Sequence, residues 1–412
     1  MNILVIGYVW PEPNSSAAGS RMMQLLSSFR RQNWRITFAS PAQLSDHMAD
    51  LSTLNIHSTQ IELNSPSFDV FLKELAPDIV MFDRFMMEEQ FAWRVEKHCP
   101  NALRILNTED LHSLRQARHQ AIKQQREFDL LDMHQDHAVR EIAAILRSDL
   151  TLMISDVEVA LLKQHFNVPA AQLHHLPFML ETPSSEEVQQ RLAFNERQHF
   201  ISIGNFRHAP NWDAVQQLKQ HIWPLIRQQL PMAQLHIYGA YPPPKATQLH
   251  NEKQGFLVKG WAPDAKLVMQ QARLCLAPLR FGAGIKGKLV EAMQMGTPSI
   301  TTSIGAEAMH DHLPWSGRIA ESAQDFANAA VELYGNSEQW HQCQVQGDAI
   351  LAYKYPREPL ETQLIARIQQ QIQQRDTLRQ HNFYGLMLRH HSMKSTQYMS
   401  QWIEAKNQQL GQ

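Results

Sequence analysis

Short apolar runs alternate with amphipathic segments along most of the chain. In the first half, six such runs predict strands near residues 3–7, 35–40, 78–82, 104–107, 151–155 and 173–177. Most of the segments between them have helical periodicity, and this alternation is typical of a parallel sheet covered by helices on both faces. The polar stretch 111–147, rich in Gln, Arg and His, is predicted to be helical and largely solvated.

The alternation lapses once and then starts again. Residues 181–198 are polar and contain a proline, and an apolar run follows them directly. Five further strands are predicted near residues 200–204, 235–239, 256–258, 274–278 and 299–302. Two α/β domains joined by a linker leave a cleft, and in such sheets ligands bind beyond the carboxyl ends of the strands.

These patterns divide the chain into four parts. We expect an N-terminal Rossmann-like domain at 1–180, a linker at 181–198, a C-terminal Rossmann-like domain at 199–355 and a Gln-rich helical extension at 356–412. Two interpretations of the extension stay open: a surface helix with a loose tail, or a segment that packs back on the N-terminal domain.

Composition narrows the classes of function. The 412 residues carry 38 Lys and Arg against 40 Asp and Glu, a balance that offers no electrostatic footprint for nucleic acid. Cys99, Cys275 and Cys343 are too far apart in sequence for a disulfide framework or a zinc motif, which favours a reducing cytoplasm. The apolar N-terminus is interpreted as a buried strand, and no run approaches eighteen apolar residues.

The segment from 274 to 302 carries the most chemical information. It is predicted to form a strand, a loop containing Gly282 and Gly284, a helix from 285 to 295 and a second strand. The N–H groups at the start of a helix bind anions, so residues 284–286 are expected to form an anion site that suits a diphosphate.

Two charged residues follow this loop on one predicted helical face. Lys288 lies four residues after Gly284, and Glu291 lies three further on. Glu291 is placed to accept hydrogen bonds from two sugar hydroxyls. The alternative is an ordinary surface ion pair between Lys288 and Glu291, since Lys and Glu at this spacing are commonly just that.

The sequence FGAGIKGKLVEAMQMGTPSITTSIGAEAM resembles the nucleotide-sugar segment of retaining glycosyltransferases of family 4, the group 1 enzymes with the GT-B fold. SIGNFRHAPNWDA, LHIYGA and VKGWAPD are similar to further segments of that family's C-terminal domain, in the expected order. Residues 11–21, LNTEDLHSLRQAR and SDLTLMISDVEVALL are similar to its N-terminal segments. The resemblance covers about residues 1–350.

The resemblance implies a hexosyltransferase of polysaccharide biosynthesis that binds a nucleotide sugar and retains the configuration of the transferred sugar. It implies these donor-binding residues: Gly19, Arg207, Gly260, Trp261, Gly282, Gly284, Ile285, Lys286, Lys288 and Glu291. Lys288, Glu291 and His112 are implied as catalytic, and Glu109 and Asp110 as acceptor-side residues. Asp110 as a helix N-cap, His112 as a surface residue and Gly19 as a plain helix-start glycine are the structural alternatives.

The implied chemistry needs neither a metal nor a cofactor, because lysines and backbone N–H groups can stabilise the departing diphosphate. The implied partners are a nucleotide-sugar donor and a glycan or lipid-linked acceptor, with peripheral contact to the inner face of a membrane left open. Ser155 and Glu158 have the spacing of a capping box and are interpreted as structural. The paired histidines have no third ligand at metal-binding spacing.

Two departures from the family pattern leave other functions open. The family commonly has a glutamate seven residues before the one that corresponds to Glu291, and Ala283 stands there. Asn205 replaces an arginine that is common in relatives, and Arg207 is expected to supply its charge. An inactive GT-B subunit that binds a sugar or nucleotide, or a sugar-nucleotide epimerase using His112, are the alternatives.

Overall fold

The computed structural model describes residues 1–410 and contains two parallel sheets. The N-terminal sheet has seven strands in the order β3-β2-β1-β4-β5-β6-β7. Its strands are β1 Asn2–Ile6, β2 Arg35–Ser40, β3 His57–Gln60, β4 Ile79–Asp83, β5 Leu103–Asn107, β6 Leu150–Met153 and β7 Leu173–His175. Helices cover both faces of this sheet, and apolar side chains on each face form a separate core.

The C-terminal sheet has six strands in the order β10-β9-β8-β11-β12-β13. Its strands are β8 Gln198–Ile203, β9 Leu235–Tyr238, β10 Phe256–Gly260, β11 Ala272–Ala277, β12 Ser299–Thr301 and β13 Gly317–Ile319. Two parallel-sheet α/β domains were predicted from the alternation of apolar runs, and this fold class is confirmed. The edge strands β3 and β13 were missed because they are short and have no apolar alternation.

Eighteen α-helices are found among the described residues. In the N-terminal half they are α1 Ala17–Arg31, α2 Ser67–Leu75, α3 Phe85–His98, α4 His112–Lys123, α5 Asp136–Arg147, α6 Asp156–Gln164 and α7 Ser185–Gln189. In the C-terminal domain they are α8 Ala209–Gln217, α9 Trp223–Gln229, α10 Pro244–Thr247, α11 Ala265–Gln271, α12 Gly287–Gln294, α13 Ser303–Ala306, α14 Ala323–Gly335 and α15 Ser337–Lys354. The extension forms α16 Arg357–His381, α17 Phe383–Leu388 and α18 Lys394–Leu410. None of these helices is long and apolar enough to cross a membrane.

Two local expectations were wrong. The polar stretch 111–147 forms α4 and α5, but each buries one face, because small and apolar residues recur there at helical spacing. The helix predicted from residue 285 begins only at Gly287, with Lys286 as its N-cap. Gly284 therefore belongs to the loop that precedes α12, and its N–H is not part of the first helical turn.

The chain crosses between the domains twice, and the two crossings pair with each other. The Leu180 N–H donates to the Tyr355 carbonyl oxygen at 2.8 Å, and the Arg357 N–H donates to the Leu180 carbonyl oxygen at 2.9 Å. After the second crossing, α16 packs Leu364 and Ile368 into the core of the N-terminal domain. The extension thus packs on the N-terminal domain. Residues 411 and 412 of the predicted segment lie outside the described residues.

Candidate functional site

The glycine loop, residues 282–286, lies against the N-terminal domain. Glu158, from the first turn of α6, is 1% exposed, and its Oε1 accepts a hydrogen bond from the Gly284 N–H at 2.6 Å. Ser155 caps α6 by accepting from the Glu158 N–H, as the sequence pattern predicted. The second half of the predicted capping box is wrong, because the Glu158 carboxyl group turns toward Gly284 instead.

Glycine is required at position 284 by the closeness of the two domains. Gly284 has a φ of +62°, and a β-carbon there would lie 2.8 Å from the β-carbon of Asp110 and 3.1 Å from the carbonyl oxygen of Glu109. Both features exclude an ordinary side chain. Gly287 is crowded in the same way, since a β-carbon there would lie 2.3 Å from that of Ala17 in α1. The start of α12 is therefore packed against the N-terminal domain.

Glu158 is held as a neutral acid at this contact. Burial raises its pKa to about 8, and the nearby Asp110 carboxylate adds to the rise, whereas the hydrogen bond from Gly284 and the charge of Lys286 oppose it. Its second oxygen, Oε2, is buried and has no hydrogen-bond partner among the described residues. A carboxyl group in these surroundings is protonated at neutral pH.

A second contact clamps the same loop from helix α4. Arg118 donates to the Gly282 carbonyl oxygen at 2.8 Å and forms a two-pronged ion pair with Glu307, with both N–O distances at 2.7 Å. His119, the next residue, stacks on Phe281 with ring centroids 4.2 Å apart. The sequence reasoning missed Arg118 and Glu307, because nothing in the polar run around Arg118 marks it as facing another domain.

Lys286 lies beneath this loop as a buried amine. Its Nζ donates to the Gly284 carbonyl oxygen at 2.9 Å, and 8% of the residue is exposed. Burial lowers the pKa of Lys286 to about 8, although the Glu307 carboxylate acts in the opposite direction. The amine thus holds the loop backbone from inside the C-terminal domain.

Lys288 is directed toward the first turn of helix α8. Its Nζ donates to Asn211 Oδ1 at 2.7 Å, and a β-carbon on Gly204 would lie only 2.8 Å from that nitrogen. Burial lowers the pKa of Lys288 to about 8. Burial also raises the pKa of Glu291 to about 7, against the opposing charges of Lys266 and Lys288.

The surface-pair interpretation of Lys288 and Glu291 does not fit this geometry. Both side chains are half-buried, and in the part of the chain that the structure describes no ion pair joins them. Asn211, which accepts from Lys288, lies in α8 and in the segment SIGNFRHAPNWDA that resembles the family, but the sequence analysis gave it no role. The adjacent proline and asparagine are the sequence feature that could have identified Asn211.

The acceptor-side residues form a dense polar network at the end of β5. Glu109 accepts from the Asn107 side-chain amide at 2.6 Å and lies 3.4 Å from the guanidinium of Arg21. Burial raises the pKa of Glu109, although Arg21 opposes the rise. Arg21 itself is 1% exposed and also donates to the carbonyl oxygen of Leu176.

Asp110 and His112 contact each other directly. His112 Nε2 lies 3.3 Å from Asp110 Oδ1, and Arg115 contacts the other oxygen of Asp110. Burial alone would raise the pKa of Asp110, but Arg115 and His112 outweigh it and hold that pKa well below its usual range. Burial lowers the pKa of His112 to about 3, despite the opposing charge of Asp110. The imidazole is therefore neutral at physiological pH.

Both structural alternatives for Asp110 and His112 are wrong. The N-cap of α4 is Leu111, and the N–H groups of His112 and Ser113 donate to the Glu141 carboxyl group at 2.9 Å each. Glu141 caps the helix from α5, which frees Asp110 for Arg115. His112 is not a surface residue, because only 14% of its side chain is exposed.

Comparison with known proteins identifies the architecture. Residues 197–336 match the family model of group 1 glycosyl transferases. HepE of Anabaena, solved with UDP-glucose, aligns over 90% of this chain and 100% of its own with a TM-score of 0.67 and 13% identity. Sucrose-phosphate synthase of Thermosynechococcus elongatus aligns over 90% and 98% with a TM-score of 0.64 and 16% identity. The chain has the GT-B fold.

A third structure agrees with this assignment. WaaG, a glycosyltransferase involved in lipopolysaccharide biosynthesis, aligns over 88% of this GT-B chain and 98% of its own, with a TM-score of 0.60 and 14% identity. No curated protein matches the sequence. The family match and the fold together support the glycosyltransferase class of enzyme.

Two of the remaining candidates of the GT-B chain lie near the N-terminal domain, Trp261 by direct contact and Arg207 through Tyr241. Trp261 stacks on His47 with ring centroids 4.4 Å apart, and the guanidinium of Arg207 lies 3.7 Å from the ring centroid of Tyr241. Tyr241 in turn donates its hydroxyl to Glu12 at 3.0 Å. Sequence reasoning missed His47, Tyr241 and Glu12, since their partners lie in the other domain.

The glycines among the candidates have different surroundings. Gly260 has a φ of +76°, and a β-carbon there would meet no atom within 4 Å, so it borders open space. A β-carbon on Gly19 would lie 2.4 Å from the carbonyl oxygen of Glu12, so the close approach at Gly19 is made by the chain's own loop. The side chain of Ile285 packs in a core with Ile154 and Phe178 of the first domain, which leaves only its backbone for a ligand.

No group of three or more His, Cys, Asp or Glu side chains within residues 1–410 is placed to hold a metal ion. The histidines that occur in pairs along the sequence make other contacts. His310, for example, contacts the Leu313 carbonyl oxygen at 2.6 Å.

Proposed function

We propose that this chain is a retaining glycosyltransferase of family 4. It would transfer a hexosyl group from a nucleoside-diphosphate sugar to a hydroxyl group without a metal ion or cofactor. The observation that carries this proposal is a pair of lysine amines with neutral partners: Lys286 Nζ contacts the Gly284 carbonyl oxygen of the glycine loop, and Lys288 Nζ contacts Asn211 Oδ1.

Neither amine has an ion-pair partner within 4 Å among the described residues, and each contacts only a neutral oxygen. Cations that are removed from water in proteins are normally paired, so each unpaired amine is a cost to the unliganded protein. An anionic ligand would remove that cost. A diphosphate has the charge for it, and the family match, together with the UDP complexes of HepE, supports a nucleoside diphosphate as that ligand.

The proposed roles follow from chemistry and placement. Lys286 and Lys288, with Arg207 at the mouth of the cleft, stabilise the negative charge that grows on the departing diphosphate. Glu291 binds sugar hydroxyls, and Gly260 and Trp261 border the base. Gly282 and Ile285 offer backbone groups, Gly284 lets the loop pass close to the first domain, and Gly19 shapes the loop on the opposite side. His112, neutral and oriented by Asp110, is the proposed polar group beside the acceptor, with Glu109 next to it.

Binding of the donor is the first test. Thermal-shift and calorimetric titrations with UDP, GDP, ADP, TDP and their common sugars should give one selective stabilising nucleotide, because a ligand that binds only the native state raises its stability. Lys288→Met should lower affinity for that nucleotide at least tenfold. Lys253→Met, which removes an exposed lysine from the same domain, should leave it unchanged.

The reaction itself has separate tests. Product analysis by NMR should show that the anomeric configuration of the donor is retained, and excess EDTA should leave the rate unchanged. Inversion, or a rate that EDTA abolishes and Mg²⁺ or Mn²⁺ restores, would refute the corresponding part of the proposal. We place the reaction in the cytoplasm, with a glycan or lipid-linked acceptor, on the support of the free thiols Cys99, Cys275 and Cys343.

Ala283 favours a second candidate, an inactive GT-B subunit that binds a nucleotide sugar. The carboxylate common in the family is missing at that position, and Glu158 contacts the next residue from the other domain. Tight nucleotide binding with neither transfer nor slow hydrolysis of the bound sugar nucleotide would favour this candidate over the enzyme.

A further inference from the structure

The last part of the extension exposes a stripe of large apolar side chains, which the exposed polar residues His390, His391, Lys394 and Ser395 interrupt between Met387 and Tyr398. Residues 383–410 form α17, a π-helical turn at Arg389–Met393, and α18. The side chains on its outer face are Phe383, Tyr384, Leu386, Met387, Tyr398, Met399 and Trp402, each between 43% and 69% exposed. A soluble domain rarely leaves so many large apolar side chains together in water, so this stripe calls for a partner.

The fold keeps the stripe on one side of the helix. The opposite face is fixed to the N-terminal domain, where Gly385, Arg389, Met393 and Ser400 are buried. The π turn adds one residue to the helical repeat, and this insertion keeps both faces in register from α17 into α18. At 1.5 Å per residue the apolar side chains from residue 383 to residue 402 span about 30 Å along the helix.

The charges beside the stripe have one sign. Lys394 and Lys406 are both exposed: Lys394 Nζ lies 3.2 Å from His390 Nε2, and Lys406 Nζ lies 5.4 Å from the ring of Trp402. The only acidic residue from 383 to 410 is Glu404, which contacts Arg94 on the buried side. An edge of tyrosine, tryptophan and lysine without exposed acids is complementary to the interface of an anionic bilayer.

We propose that this stripe lies on the surface of an anionic membrane, with Tyr398 and Trp402 at the level of the headgroups and Lys394 and Lys406 against lipid phosphates. A second copy of the chain fits less well. In a twofold contact the stripe would face itself, which would bring four lysines into one interface with no exposed acid of residues 383–410 to pair with them. The inference does not depend on the proposed transferase activity.

Vesicle flotation tests the proposal with the full-length chain. Wild-type protein should float with vesicles of phosphatidylcholine and phosphatidylglycerol, and much less with phosphatidylcholine alone. Lys394→Gln together with Lys406→Gln should lower partitioning into the anionic vesicles about 30-fold, from about 1 kcal/mol per lysine near such a surface. Tyr398→Ala together with Trp402→Ala should lower it on both kinds of vesicle.

A matched pair of substitutions controls for the loss of exposed apolar surface. Met232→Ala together with Tyr353→Ala removes exposed side chains from the C-terminal domain and should leave flotation unchanged. Thermal unfolding of every variant should match that of the wild type, since all the replaced side chains are exposed. Absence of flotation by the wild type, equal flotation by the stripe variants, or a solution dimer that Tyr398→Ala with Trp402→Ala converts to monomer would overturn the proposal.

Discussion

Replacement of Glu158 gives the sharpest test of the contact between the domains. Glu158→Gln keeps a side-chain oxygen that can accept from the Gly284 N–H, but the amide cannot ionise. Glu158→Ala removes the acceptor and leaves a buried N–H without a partner, which costs about 1 to 3 kcal/mol. The two variants therefore separate the hydrogen bond from the titration.

The size of the titration effect follows from the pKa of Glu158, which burial raises from 4.5 to about 8. Below pH 4.5 the carboxyl group is protonated in both the folded and the unfolded chain, so it adds no pH dependence. Between pH 4.5 and 8 unfolding releases its proton, and the free energy of unfolding falls as pH rises. The slope is about 1.4 kcal/mol per pH unit, with an upper limit of about 5 kcal/mol over that window.

The assay is the free energy of unfolding in urea, measured at pH 5.5, 6.5 and 7.5 for the wild type and Glu158→Gln. Other buried acids, such as Glu141 and Glu291, titrate in both proteins, so the difference between the two slopes isolates Glu158. We expect the wild type to lose stability relative to Glu158→Gln as pH rises. Glu358→Gln, which changes an exposed glutamate on α16, should follow the wild type.

Equal slopes for the wild type and Glu158→Gln would refute the reasoning, because they would mean that Glu158 is already ionised in the folded chain. Loss of stability in Glu158→Ala alone would then report only the hydrogen bond. The affinity for the nucleotide, measured at pH 8.5, offers a second test. At that pH Glu158 is ionised and contacts the loop to which the ligand would bind. Glu158→Gln should bind the nucleotide more tightly than the wild type at that pH and equally at pH 6.

Further predictions concern the same loop. Gly284→Ala should lower the free energy of unfolding in urea by about 1 to 3 kcal/mol, because φ at this position is positive and the added β-carbon would clash with the first domain. Arg118→Ala leaves Glu307 unpaired and should make the loop around Gly282 more accessible to amide exchange, whereas Glu307→Gln should do so less. Binding of a diphosphate should raise the pKa values of Lys286 and Lys288, so calorimetry at pH 8 in buffers of different ionisation enthalpy should detect proton uptake, absent in the double Lys→Met variant.

Elements whose sequence pattern lies within a few neighbouring residues are predictable from the sequence. Strands β1 and β11 contain the apolar runs ILVI and LCLA, and the loop from Gly282 to Lys286 lies between a buried strand and a helix, as the pattern predicted. The edge strand β3, HSTQ, has no such signal, because its pairing with β2 satisfies only the backbone.

Contacts between the domains were not predictable in the same way. The serine and glutamate of ISDVE satisfy a capping box as well as they satisfy the observed geometry, and only the position of the second domain decides where the Glu158 carboxyl group turns. Gly284 lies 126 residues away from it in the chain. Arg118 and Glu307 are further apart still, and nothing in either segment marks them as partners.

The return of the chain at Tyr355 has a consequence for biosynthesis. The C-terminal sheet and its helices form one uninterrupted stretch, from β8 to the end of α15, whereas the first domain receives Leu364 and Ile368 only from α16. Domains generally fold as units while a chain is being made. The C-terminal domain can therefore complete its core on the ribosome first. The N-terminal domain lacks part of its core until α16 has emerged.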